Sequence, residues 1–131
     1  MKTFAFRLHP GQDLKKEIFK FTKQNKISAG AILTCVGSLQ KIIIRMAGAK
    51  EIKTFEEDFE IVSLAGTLEE NDGHLHISIS DKDGNVFGGH LKDGAIIRTT
   101  AEIVIAELDG LSFGREFDKE TGYEELVIKN V

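Results

Sequence analysis

The sequence predicts an α+β fold: a largely antiparallel sheet of about seven strands, one main amphipathic helix at about residues 12–25, and minor helical segments. Three observations carry this. Apolar side chains alternate with period two in several short segments, as half-buried strands require. The helical period of 3.6 occurs clearly only once, near the N-terminus. Thirteen glycines against a single proline supply the turns between segments. At 131 residues the chain is long enough for one domain, residues 1–131, with its own core.

Thr3 to Leu8 alternates, with Phe4, Phe6 and Leu8 on one side, and His9-Pro10-Gly11 ends it. From Gln12 to Asn25 the spacing of Leu14, Ile18, Phe19 and Phe21 predicts a helix whose opposite side carries Lys15, Lys16, Lys20, Lys23 and, just beyond, Lys26. The apolar run Ala31 to Val36 predicts a central strand covered on both faces. Gly37-Ser38 interrupts it, so Leu39 to Ala47 is expected to pair back, with Gly37 as a bulge or tight corner. Lys53 to Asp58 reads as a connection or short edge strand.

Phe59 to Leu68 reads as a long strand, Phe59, Ile61 and Ser63 facing one way and Val62, Leu64 and Gly66 the other. Thr99 to Leu108 alternates again, and Tyr123 to Lys129 forms a last short strand. Leu111 to Thr121 reads as a loop, and further helix could lie within Ile96 to Glu102. One helix of about 20 Å cannot cover both faces of such a sheet. Self-association is the economical remedy.

Composition narrows function. A formal net charge of −4 and a pI near 5.6 give no cationic field for collecting phosphates, which argues against autonomous nucleic-acid binding. The lysine cluster leaves a local basic patch as an alternative to a solvated helix face. The single cysteine, Cys35, lies in an apolar run and reads as a buried hydrophobe. No apolar run approaches a membrane span and no signal-like segment opens the chain, so a cytoplasmic protein is expected.

The chemistry concentrates in Gly73 to Leu91, which holds three of the four histidines. Alternation puts His74 and His76 on one face of a strand, about 6.8 Å apart along it. The turn Asp81 to Asn85 then returns the chain through Val86-Phe87-Gly88-Gly89-His90. If Ser80 pairs with Val86, His90 lies opposite His76 and a three-histidine metal set forms; if Ser80 pairs with Asn85, His90 faces away. Zinc comes first among the metals such a set would take. Gly88 and Gly89 would let a ligand near the backbone, and Arg98, Glu102 and the segment 114–122 are candidate pocket walls. Glu102 and Glu107 are the carboxylates named for proton transfer to a metal-bound water. His9 reads as a turn residue. No nucleophile elbow, phosphate loop or dinucleotide fingerprint occurs, which leaves enzymatic activity undecided.

Ala31-Ile32-Leu33-Thr34-Cys35-Val36-Gly37-Ser38-Leu39, Phe59 to Thr67, and Gly73 to Asp81 with Gly84, Val86 and Gly88-Gly89-His90-Leu91 together resemble the plants and prokaryotes conserved (PPC) domain, in its prokaryotic single-domain form. The domain is also carried by plant AT-hook motif nuclear-localised proteins. The resemblance spans about Thr3 to Leu108. It implies an antiparallel sheet with flanking helices, a homotrimer, protein partners that would meet Phe59, Glu60 and Ile61, and a metal on the histidines. It also brings a DNA-binding label. The AT-hook itself, a basic Arg-Gly-Arg-Pro core, is absent: Gly114-Arg115 is followed by Glu116, and the lone proline is Pro10. Three functions therefore stand: a trimeric interaction module, a zinc-dependent small-molecule binder or enzyme on His74, His76 and His90, and direct DNA binding through the lysines.

Overall fold

The computed structural model describes all residues, Met1–Val131, as nine strands and one α-helix. In chain order these are β1 (Lys2–Leu8), α1 (Leu14–Gln24), β2 (Gly30–Arg45), β3 (Ile52–Phe55), β4 (Phe59–Leu68), β5 (Gly73–Ser80), β6 (Val86–Leu91), β7 (Ile96–Glu107), β8 (Leu111–Phe117) and β9 (Glu124–Asn130). The first seven strands form one antiparallel sheet in the order β1-β7-β2-β4-β5-β6, with β3 on the edge of β2. β6 also pairs with the end of β2, Ile44 opposite Leu91 and Arg45 opposite His90. The strands β2, β4, β5 and β6 thus close a ring, and β8 with β9 makes a separate hairpin.

The inside of the ring is apolar. Leu39, Ile42, Ile44, Leu75, Ile79 and Leu91 are fully buried, and Leu14 and Ile18 of α1 join the same core. The helix begins where Asp13 caps it: Oδ1 accepts from the Lys16 amide at 3.1 Å, and Oδ2 accepts from the Gly94 amide at 2.7 Å, tying the helix start to the approach to β7. Phe21 stacks on Phe6 at 4.1 Å between centroids, which fixes the helix on β1.

Five sequence expectations change. Residues 31–36 and 39–45 do not pair back; they are one 16-residue strand, because register shifts at Gly37/Leu39 and Leu39/Lys41 bend it without reversing it. Gly37 is required there, since a Cβ would lie 2.0 Å from the Thr100 carbonyl oxygen. Residues 96–102 are strand rather than helix, paired with β1 and β2. Residues 111–117 are strand rather than loop, zipped to β9. In β4 a register shift between Ile61 and Ser63 turns the face over, so Phe59, Ile61, Leu64 and Leu68 all point inward while Val62 is exposed. The central strand is also covered on one side only: Leu33, Thr34 and Val36 are exposed.

Candidate metal centre

The β5–β6 turn sets the geometry. The Asp81 carboxylate accepts from the amides of Asp83 and Asn85, both at 2.9 Å, and from the Asn85 side chain at 3.2 Å. Those bonds, the Asn85 amide foremost, hold its carboxyl below the usual range. A side-chain-anchored turn of this length places Ser80 opposite Val86, and the ladder then runs back to His76 opposite His90. Gly88 lies opposite Ser78, where a Cβ would meet the Ile77 carbonyl oxygen at 2.0 Å; only glycine lets the two strands close here.

With that register, a row crosses the outer face of the ring: Arg45, His90, His76 and Ala65 on β2, β6, β5 and β4. His74, paired with Thr67, stands one step along on the same face. The three rings converge, with centroids 4.7, 5.0 and 5.6 Å apart. One nitrogen from each lies within 4.8 Å of the others, and the Nε2 atoms of His74 and His76 are 3.1 Å apart. Burial, then the Arg45 guanidinium, pushes His90 down to about 4, while burial and the neighbouring His76 lower His74. His74 and His90 are therefore neutral at pH 7, the state in which imidazole ligates metals. His90 Nδ1 is buried without a hydrogen-bond partner.

Around the rings opens a cleft of about 530 Å³ whose walls include Lys15, Arg45, Arg115, Tyr123, Glu124 and Glu125. Arg115 donates from Nε to Glu69 at 2.7 Å, a well-buried pair, and from a terminal nitrogen to Thr67 at 3.4 Å. This pair holds the C-terminal hairpin against the sheet, so that β9 brings Glu125 towards His74.

The other residues singled out from the sequence scatter. Gly88 and Gly89 sit beside His76 and His90 in a shallow groove. Arg98 is elsewhere, ion-paired with Asp58 at 3.2 Å. Glu102 lies on β7 opposite Val36, in an open apolar groove with Thr34. Glu107, also on β7, lies opposite Lys2 of β1, and β2 and β4 separate its strand from β5. Neither carboxylate approaches the histidines; Glu124 and Glu125 do. Of the expected interaction segment, Phe59 and Ile61 are core residues at 2% and 5% exposure, so only Glu60 is presented. His9 is an exposed turn residue whose amide donates to Gln12. Cys35 is buried, its thiol pushed up to about 12 by desolvation, and so inert.

Arg115, within the segment 114–122 named from the sequence, does line the cleft; Arg45, Tyr123 and Glu125 are the site residues sequence reasoning missed. Arg45 had a signal, the one charge ending the apolar run Ile42-Ile43-Ile44. Leu111, Phe113, Arg115 and Phe117 alternate as a strand should, a signal obscured by the glycine and charges between them.

Fold and site together define an antiparallel-sheet domain that presents three convergent histidines in a cation-edged cleft on its outer face. The chain belongs to the Plants and Prokaryotes Conserved (PCC) domain family, whose model matches residues 1–109. It is 42% identical over 131 residues to the bifunctional protein GlmU of Synechococcus sp. (strain JA-3-3Ab), spanning 21% of that protein's length. A solved structure of a hypothetical protein from Salmonella enterica is 40% identical with a TM-score of 0.95, over 98% of this chain and 94% of that one. A metal-containing protein from Archaeoglobus fulgidus is 31% identical with a TM-score of 0.79, over 97% of this chain and 94% of that one.

Proposed function

We propose that this domain binds a transition metal, zinc first, through His74, His76 and His90, and that it works as a self-assembled homotrimeric module. The observation that carries the metal reading is the convergence of three imidazole nitrogens within 4.8 Å on one sheet face. The donor set fits. Bonds of 2.0–2.1 Å to a tetrahedral zinc put ligand nitrogens about 3.3 Å apart, and His74 and His76 already stand at 3.1 Å. The buried, unpartnered His90 Nδ1 marks a ring that lacks the second hydrogen bond a structural histidine would have. The Archaeoglobus relative is described as containing metal.

A metal held by three histidines would keep a fourth position and supply Lewis acidity or a water of lowered pKa there. Around it, Arg45 and Lys15 attract anions, Tyr123 walls the cleft, and Glu125, whose charge acts on His74, is a group able to move a proton there. Metal analysis of protein purified without a histidine tag tests the reading. Near-equimolar metal is expected, and none in the triple variant His74→Ala, His76→Ala, His90→Ala; equal, substoichiometric metal in both would end it.

Assembly is supported by the bare outer face of the sheet, where Leu33, Val36 and Val62 are each more than half exposed. A second copy of the chain is the covering partner this reading supplies, and Glu60 is the exposed contact left for other proteins. A single buried cysteine suits a reducing compartment such as the cytoplasm, and no helix is long and apolar enough to cross a membrane. Direct DNA binding ranks last. The net charge is −4, and the exposed Lys16, Lys20, Lys23 and Lys26 make only a local patch.

A further inference from the structure

Four arginines occur in the chain, and three are held by other side chains. Arg7 donates to Thr100, Arg98 pairs with Asp58, and Arg115 pairs with Glu69. Arg45 has neither a hydrogen bond nor a carboxylate partner; its guanidinium lies over the Tyr123 ring at 5.8 Å from the centroid. It is half-buried, lines the histidine cleft, and stands directly opposite His90 in the β2–β6 ladder. Directly opposed residues in such a ladder are about 5 Å apart at Cα, so the guanidinium and the imidazoles lie within the span of one small molecule. A free guanidinium aimed into a cleft is an anion receptor, and its planar fork matches a carboxylate with two parallel hydrogen bonds.

From this we infer that the cleft takes a small carboxylic acid carrying a neighbouring hydroxyl or carbonyl oxygen, its carboxylate on Arg45 and its second oxygen at the histidine centre. The inference rests on the metal reading for its second contact and on Arg45 alone for its first. Charge selects carboxylate over phosphate. Arg115 is neutralised by Glu69, which leaves Arg45 and Lys15 as the cations of the cleft. Lys15 is itself shared with Asp93 at 4.0 Å, and Asp72, Glu124 and Glu125 stand on the rim. With a divalent metal on three neutral imidazoles at the other end, Arg45 needs only a single negative charge and its planar fork matches a carboxylate, whereas a tetrahedral dianion would bring its second charge against three rim carboxylates. A volume of about 530 Å³ suits a small molecule, and Tyr123 offers a flat wall for its carbon skeleton.

The test loads the full chain with cobalt(II) in place of zinc, because cobalt's visible absorption reports a change at the fourth position. Lactate, propionate and inorganic phosphate are titrated into wild type, Arg45→Gln and Arg45→Lys. Lactate is expected to change the cobalt spectrum and to bind more tightly than propionate or phosphate. Arg45→Gln should take up cobalt with an unaltered starting spectrum yet bind lactate about ten- to a hundredfold more weakly, the loss expected for a charge-assisted pair. Arg45→Lys should fall between. Cobalt uptake with no response to lactate, unchanged lactate affinity in Arg45→Gln, or tighter binding of phosphate overturns the inference and leaves the metal reading standing. Failure of the wild type to bind cobalt overturns both.

Discussion

His90 has its proton affinity lowered more than any other imidazole in the chain, by burial first and by its charged neighbours after it. Arg45 on β2, His74 and His76 on β5 and Lys15 on α1 all bring positive charge towards it. Its value falls to about 4 from the ordinary 6.5. Between those two values the unfolded chain carries a proton here that the folded chain does not, so folded-state stability rises with pH across this window and is lost on acidification. In the metal-free protein, the urea midpoint should therefore drop between about pH 6.5 and pH 4. His90→Asn should flatten that slope while the rest of the acid sensitivity stays. A wild-type midpoint constant across the window would show that His90 takes up its proton at the same pH in the folded as in the unfolded chain, and that burial and Arg45 do not shield it. The same residue shows why sequence alone left the centre open: His74 and His76 share a face by alternation, whereas the side on which His90 emerges depends on a turn whose register alternation does not encode.

The strand pair that carries the histidines is sensitive to a single methyl group. At Gly88 the close approach of β5 leaves 2.0 Å between a notional Cβ and the Ile77 carbonyl oxygen, and the obstacle is backbone, which cannot swing aside. Gly88→Ala should cost about 1–3 kcal/mol in urea unfolding, the usual range for overpacking. Because His76 and His90 face each other two residues along the same ladder, it should also weaken zinc in a competition titration by more than His9→Ala, which leaves the ladder intact. A variant of reduced stability with unchanged zinc affinity would separate the centre from the ladder. Elements of this kind set how legible the chain was. Uniform alternation in β1, β5 and the second half of β7 made those stretches readable, as did the clean 3.6 period of α1. Bulges defeated the reading of β2 and β4, because one inserted residue moves Val62 outward and keeps Leu64 inward, and no local property of Val62 announces it. The C-terminal hairpin was half legible: β9 by its apolar run, β8 hidden behind Gly114 and Arg115, so the segment was named as a pocket wall without the strand that positions it.

At the level of the whole molecule, the ring closed by β6 on β2 encloses one core, and α1 completes that inner side. The outer side has no second layer of its own. Over part of it the hairpin is pinned by the Arg115–Glu69 pair, and there the histidine cleft forms. Over the rest, Leu33, Val36 and Val62 face outward at 55%, 54% and 53% exposure, values ordinary for one surface side chain but not for three on the faces of adjoining strands. Val36 is the informative one, because it lies opposite Glu102, also exposed, so a lysine introduced there gains a cross-strand carboxylate and leaves the fold intact. The same lysine would have to be desolvated if the face is buried against another copy of the chain. Light scattering at micromolar concentration should thus give three times the chain mass for wild type and a monomer for Val36→Lys, with circular dichroism unchanged. Lys23→Glu, on the solvent side of α1, should leave the mass as it is. A monomeric wild type would remove the assembly, and a trimer that survives Val36→Lys would move the interface to another face of the sheet.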